Sequence, residues 1–315
     1  MRLVFAGTPE PAAVALERLI NSDHEVVAVL TRPDARKGRG RTLHPSPVKA
    51  LAVEHGIEVL TPERLSRDDA VRSRLTELAP DAIPVVAYGN LVPADMLDIP
   101  EHGWVNLHFS DLPRWRGAAP VQWAIREGDA TTASCVFNLE EGLDTGDIYS
   151  RVEVPIVRES AGELLSSMAE AGADQVLGVV DALAAGRATA TPQSSDGVTH
   201  ARRLEHIDGY VSFTHDAGYE DRIIRSVTPN PGAYTVLPGG ARMKLDKATP
   251  VERDDLEPGQ LEVTKKQVTV GCASGALVLG NVAPAGKSWM DAAAWARGAR
   301  PSDDCRLGGE LEDER

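Results

Sequence analysis

The run "RLVFAGTPEPAAVALERLINSDHEVVAVLT", Arg2 to Thr31, is where the fold is first legible. "RLVFAG" is a short apolar run ending in glycine and reads as a buried strand. "PEPAAVALERLI" has helical periodicity, with proline near its start, where a missing N–H costs least. "EVVAVLT", Glu25 to Thr31, reads as a second buried strand. The same alternation continues downstream. "SPVKALAVEHG" opens with an N-cap serine and a proline at the first helical position, and it closes on glycine. "IEVL" and "AIPVVAYG" read as strands on either side of the helical "DDAVRSRLTELAP". Strands alternating with helices over the first ~130 residues indicate an α/β fold with a doubly wound, mostly parallel sheet. Pro84, inside "AIPVVAYG", is awkward for a central strand, so distortion or a later strand start is expected there.

"WVNLHF", from Trp104, opens the stretch that carries the chemistry. After it come a loop with a proline, arginines and a tryptophan, then a helix at "AAPVQWAIREG". "TASCVFNLEEGLDTGDIYSRVEVPI" reads as two strands joined by an acidic, glycine-containing turn. "SAGELLSSMAEAGADQVLGVVDALAAG" is a long helix that closes a first domain, 1–187. Residues 188–205 turn polar and irregular and read as a linker. In 206–315 a helix, "DAGYEDRIIRSV", precedes closely spaced strand-like runs with Gly and Pro turns, the pattern of a small β-barrel. A short helix from Met290 to Ala296 follows, and the chain ends in an acidic tail.

The 315 residues are 42% hydrophobic and 25% charged, as in soluble globular proteins. No run approaches the ~18 apolar residues of a membrane span. The N-terminus lacks the h-region and cleavage site of a secretory signal. Cys135, Cys272 and Cys305 lie far apart and make no C-x-x-C pair, which argues against a zinc site or a disulfide framework and for the reducing cytoplasm. The net charge of −14 opposes indiscriminate binding to nucleic acid. Against that background, 32–49 holds Arg32, Arg36, Lys37, Arg39, Arg41 and Lys49 and one acid, Asp34. It is either a solvated surface loop or a docking loop for a polyanion.

Period-two geometry points Asn106 and His108 to the same face of their strand, near its carboxyl end, where ligands bind in doubly wound sheets. Two polar groups on one face of a core strand are costly unless something uses them. Asp144, in "GLDTGD", lies in the turn between the two following strands. An amide N–H and an imidazolium N–H suit a developing oxyanion, and a carboxylate suits the imidazolium and the proton of an attacking amine. There is no G-x-S-x-G elbow, and no cysteine stands beside His108 in the sequence, so direct acyl transfer is favoured over a covalent intermediate. Singly, each signal has a plainer account: Asp144 between two glycines is a turn residue, and Arg114 and Arg116 coat a loop. "GTPEP" lacks the spacing of a dinucleotide fingerprint.

Jointly the motifs say more. "NLHFSDLPRWRGAAPVQWAI" followed by "GLDTGD" resembles the folate-dependent formyltransferases, and among them the branch that formylates methionyl-tRNA. "FAGTPEPA", "PSPVK", "VVAYGNLVP" and "NPGAYT" resemble that branch too, in order along the chain. The resemblance implies a Rossmann-like catalytic domain and a smaller OB-like β-barrel domain that binds tRNA. It implies transfer of a formyl group from 10-formyltetrahydrofolate, without a metal, to the methionine α-amine of initiator methionyl-tRNA. Asn106, His108 and Asp144 then match the catalytic triplet, and Ser110, Asp111, Leu112 and Pro113 the folate-contacting stretch. Backbone at Val86, Ala87, Tyr88 and Gly89, with the turn from Glu141 to Asp144, would line the pterin pocket. Arg36, Lys37, Arg39 and Arg41 would meet the acceptor arm, and Lys265 and Lys266 the tRNA backbone. Asp111, Phe109, Pro84 and Asn230 depart from the family pattern. A formyltransferase acting on glycinamide ribonucleotide or an amino sugar, and a non-catalytic folate- or RNA-binding protein, remain as alternatives. Nothing demands more than a monomer.

Overall fold

The computed structural model describes residues 1–36, 42–302 and 304–311. The chain forms two compact units: Met1–Pro120 with Thr131–Pro155 and Leu165–Ala201, and Val121–Ala130 with Ile156–Leu164 and Arg202–Arg315.

In the first unit the apolar runs become strands, and those at the centre of the sheet, in and around residues 3–7, Ile83–Val86 and Trp104–His108, are buried on both faces. In chain order the elements are β1 (Arg2–Gly7), α1 (Glu10–Ile20), β2 (Glu25–Leu30), β3 (Ala35–Arg36), β4 (Leu43–His44), α2 (Pro47–Glu54), β5 (Glu58–Leu60), α3 (Asp69–Leu78), β6 (Ile83–Val86), α4 (Ala94–Leu97), β7 (Trp104–His108) and β8 (Arg116–Gly117). After α5 (Pro120–Glu127) come β9 (Thr131–Asn138), β10 (Ile148–Pro155), α6 (Ala161–Ala184) and β11 (His200–Ala201). The helix starts are written in the sequence. Ser46 Oγ accepts from Lys49 N at 3.0 Å ahead of α2, and Asp68 Oδ1 accepts from Val71 N at 3.0 Å ahead of α3.

The main sheet runs β10-β9-β7-β6-β1-β2-β5. Its pairs from β7 to β5 are parallel, and β9 and β10 add an antiparallel edge. This is the doubly wound order with β7 inside the sheet and the β9–β10 hairpin outside it. Gly172 lets α6 approach β7: a Cβ there would lie 2.7 Å from Leu107 Cδ2.

Pro84 corrects the expectation of a later strand start, because it lies within β6. The β7 side of the ladder is unbroken from Ile83 to Val86, whereas β1 pairs only at Ala6 and Gly7, with a bridge at Leu3–Ala82. The gap on the β1 side spans the residue that has no N–H to give.

The polar stretch after α6, expected as part of the linker 188–205, has partners of its own. Thr191 and Ile148 exchange both backbone hydrogen bonds at 2.9 Å, and β11 pairs in parallel with β8. The basic loop is based on an antiparallel pair, β3 and β4, with Arg36 exposed. Lys37, Arg39 and Arg41 lie outside the described residues, as does the end of the acidic tail, 312–315.

The second unit holds α5, α7 (Ala217–Val227), an antiparallel sheet and α8 (Ala292–Ala299). Its strands are β12 (Ala233–Val236), β13 (Arg242–Val251), β14 (Leu261–Val263), β15 (Val268–Gly271), β16 (Ala276–Pro284) and β17 (Met290–Asp291). They run β12-β13-β16-β15-β14, with β17 on β16. Phe213, Ile223, Met243, Val270, Leu277 and Trp295 pack into one core. The helix expected from Met290 starts two residues later because Asp291 caps it, accepting from Ala294 N at 2.9 Å. All three cysteines are buried and free.

Candidate active site

β7 brings Asn106 and His108 to the carboxyl end of the sheet. Asn106 is half-buried and His108 is 7% exposed. Val86 pairs with Leu107, so Ala87–Gly89 leaves β6 beside His108. That turn has positive φ at Ala87 (46°) and Gly89 (78°), and Thr8 Oγ1 donates to Tyr88 O at 2.8 Å. The Tyr88 ring points into the core, where burial pushes its hydroxyl up to about 12. With Tyr88 turned inward, the turn offers a ligand its backbone and the exposed Ala87 methyl.

The loop after β7 is held from within. Ser110 is fully buried and its hydroxyl donates to Arg114 O at 2.7 Å. Leu112 packs on Ala133, Cys135 and Phe137, and Pro113 follows it through a cis peptide. Asp111 forms a bidentate pair with Arg151 of β10 at 2.5 and 2.8 Å, which pins the loop to the sheet edge.

His108 Nε2 lies 3.0 Å from Trp115 O. A carbonyl only accepts, so Nε2 carries the proton and Nδ1 is the ring atom turned toward Asp144. Nδ1 is 3.8 Å from Asp144 Oδ2, the same oxygen that accepts from Gly117 N at 2.7 Å. Both side chains are well shielded, 8% exposed for His108 and 13% for Asp144. Asp144 has φ of 52°, a left-handed conformation uncommon outside glycine. Gln193 Nε2 donates to Asp144 O at 2.9 Å and to Gly146 O at 2.8 Å.

Cys135 of β9 is the cross-strand partner of His108, although no cysteine is near it in the sequence. It supplies no nucleophile: it is fully buried, and burial pushes its thiol up to about 11, leaving little thiolate at neutral pH. A cavity of about 590 Å³ adjoins the turn that carries Asp144, between Leu97, Asp98 and Glu101 on one side and Leu139, Glu140 and Glu141 on the other.

Residues 1–180 match the formyl transferase family, and residues 203–300 match the formyl transferase C-terminal domain. The chain belongs to the formyl transferase family. A methionyl-tRNA formyltransferase from Corynebacterium diphtheriae is 51% identical to it over 308 residues, 96% of this chain and 98% of the relative. One from Thermobifida fusca is 51% identical over 98% of this chain and 99% of its own length. Among solved structures, the N-formyltransferase of Helicobacter canadensis, in complex with folinic acid and dTDP-3-aminofucose, superposes with a TM-score of 0.68 at 16% identity, covering 88% of this chain and 97% of that one. The methionyl-tRNA formyltransferase of Clostridium thermocellum gives 0.57 at 18% identity, covering 79% and 93%. At those identities the likeness is one of fold.

In this formyltransferase, sequence reasoning missed the groups that hold the His108–Asp144 pair: Trp115 O, Gly117 N and Gln193. Gly117 is the one of these with a signal, since a glycine directly follows the arginines of the loop. Its φ is 120°, and a Cβ there would lie 2.7 Å from Ala201 O. Gly117→Ala is expected to destabilise the protein by about 1–3 kcal/mol. It should also displace the N–H that Gly117 donates to Asp144 Oδ2, and a fall in kcat of about a hundredfold would tie that contact to turnover. Thermal unfolding and steady-state rates on the same preparation check both effects.

Proposed function

We propose that this formyltransferase moves the formyl group of 10-formyltetrahydrofolate to the α-amine of methionine on initiator methionyl-tRNA. The observation that carries the chemistry is the shielded His108–Asp144 pair, 3.8 Å apart, beside Asn106 at the carboxyl end of a parallel strand. The acceptor rests on relatives of that name at about half identity over nearly the whole chain. The donor rests on the family and on neighbours solved with folinic acid or tetrahydrofolic acid.

The amine attacks the formyl carbon directly. As the carbonyl oxygen gains charge, the Asn106 amide and His108 Nδ1–H donate to it, while Nε2 stays on Trp115 O. Asp144, with Oδ2 at 3.8 Å from Nδ1, orients the imidazole and takes up the proton that the attacking ammonium must lose, directly or through water. Collapse then breaks the C–N10 bond, and N10 of tetrahydrofolate leaves as the neutral amine by taking up the proton that Asp144 or the water received from the attacking nitrogen. The Val86–Gly89 backbone and the Glu141–Asp144 turn hold the pterin, with Ser110 to Pro113 beside it. The carbonyls and carboxylates there suit the N–H donors of an aminopyrimidinone ring.

Arg36, Lys37, Arg39 and Arg41 contact the acceptor arm, and Lys265 and Lys266, exposed between β14 and β15, follow the backbone of the tRNA. Replacing the four loop residues by alanine is expected to raise KM for tRNA and flatten its salt dependence, by up to about 0.9 in log–log slope for each phosphate no longer neutralised. KM for the folate donor stays unchanged. An unaltered salt slope would make the loop a surface feature only. Turnover with labelled 10-formyltetrahydrofolate tests the reading as a whole when charged initiator tRNA, glycinamide ribonucleotide and an amino-sugar nucleotide are each offered as acceptor. Label on a small amine rather than on methionyl-tRNA would reassign the acceptor, and no transfer to any of the three would remove the activity.

A further inference from the structure

Gln193 lies in a polar segment with no periodicity, yet it is bound at both ends of its amide. Its Nε2 donates to Asp144 O at 2.9 Å and Gly146 O at 2.8 Å, and its Oε1 accepts from Arg116 Nη2 at 2.7 Å. Arg116 stands between the two residues that hold the His108–Asp144 pair: Trp115 O receives His108 Nε2, and Gly117 N donates to Asp144 Oδ2. One side chain therefore joins the loop that orients the imidazole to the turn that presents the carboxylate.

The rest of the segment fixes Gln193 in turn. Upstream, Thr191 and Ile148 exchange backbone hydrogen bonds. Downstream, Thr199 Oγ1 accepts from Trp115 N at 2.9 Å, Thr199 O accepts from Arg116 N at 3.0 Å, and β11 pairs with β8. Asp144 has need of such support. A non-glycine residue at φ 52° persists only where its surroundings over-determine it, and Gln193 binds its carbonyl directly.

We infer that Gln193 is a positioning residue for formyl transfer, clasping the Asp144 turn to the Trp115–Gly117 loop so that the carboxylate stays on His108. The inference rests on the role given above to Asp144. The amide acts through the turn it holds. Because that turn also lines the proposed pterin pocket, loss of the amide is felt in the chemical step and in binding of the folate donor but not of the tRNA.

Two variants separate the interactions. Gln193→Met keeps the length of the side chain and removes all three hydrogen bonds. Gln193→Glu keeps an acceptor for Arg116 and removes both donors to the turn. Both are expected to lower kcat about ten- to a hundredfold and to raise KM for the folate donor, with KM for tRNA within about twofold of wild type, the signature of a misplaced Asp144 turn. Added to Asp144→Asn, either substitution should cost less than about twofold more, since the group it positions has already been disabled. Full kcat in either folded variant overturns the inference. So does a loss equally large in the Asp144→Asn background, or one shared by kcat and both KM values. If Asp144→Asn is itself fully active, the reading of the site fails instead. If the Met variant does not fold, the Glu variant, which retains the Arg116 interaction, decides the matter.

Discussion

His108→Ala and Asn106→Ala are each expected to lower kcat by about two to three orders of magnitude or more, the usual loss when one oxyanion donor is removed. The reason is geometric. Nε2 of His108 is committed to Trp115 O, so a single ring atom faces the reaction, and no other imidazole lies on β7 to replace it. Cys135, its cross-strand neighbour, offers no rescue, because burial keeps it a thiol. Stability is affected far less. The hydrogen bond removed with His108 is worth about 1 kcal/mol, against a typical total of about 5–15. Thermal unfolding therefore stays close to wild type while single-turnover formyl transfer collapses. KM for tRNA should hold, since neither side chain belongs to the basic loop. Near-normal turnover by either variant would remove it from the proposed oxyanion site.

The parts of this protein legible in its sequence are those that side-chain letters encode locally. β1 and β2 are apolar runs flanked by helical periodicity, and α2 is announced by Ser46 and Pro47. Asn106 and His108 stand out because alternation gives them one face. What stayed hidden is backbone or long-range. Trp115 O and Gly117 N are main-chain groups, which every loop residue has, so nothing marks the two that matter. Gln193 reaches its partners across up to 77 positions from a stretch that looks like a linker. Asp111 departs from the family pattern, and its reason becomes visible only when Arg151, 40 positions later, is placed beside it. Pro84 is an obstacle to pairing, as its missing N–H implies, but the sheet solves it by leaving a gap on the β1 side and not by shortening β6.

Asp144→Asn is expected to lower kcat by about two to three orders of magnitude while leaving the turn in place. The asparagine retains an oxygen for Gly117 N, whose bond to Asp144 Oδ2 is 2.7 Å, so the substitution removes charge without removing the acceptor. The substitution removes the proposed proton acceptor for the amine, a contribution typically worth about 10²–10⁴-fold, from a 3.8 Å pair that is mostly shielded from solvent. Asp144→Glu keeps the charge but moves it, and a loss of about ten- to a hundredfold is expected from misplacement alone. The two duties assigned to this carboxylate separate in a cycle with His108→Ala. If it acts only by supporting the imidazolium, Asp144→Asn should cost almost nothing once the ring is gone. A residual loss of about tenfold or more in that background belongs to the proton of the attacking amine. Undiminished kcat in Asp144→Asn would leave the ring unsupported and the amine with no proton acceptor, and direct transfer as drawn here would fall.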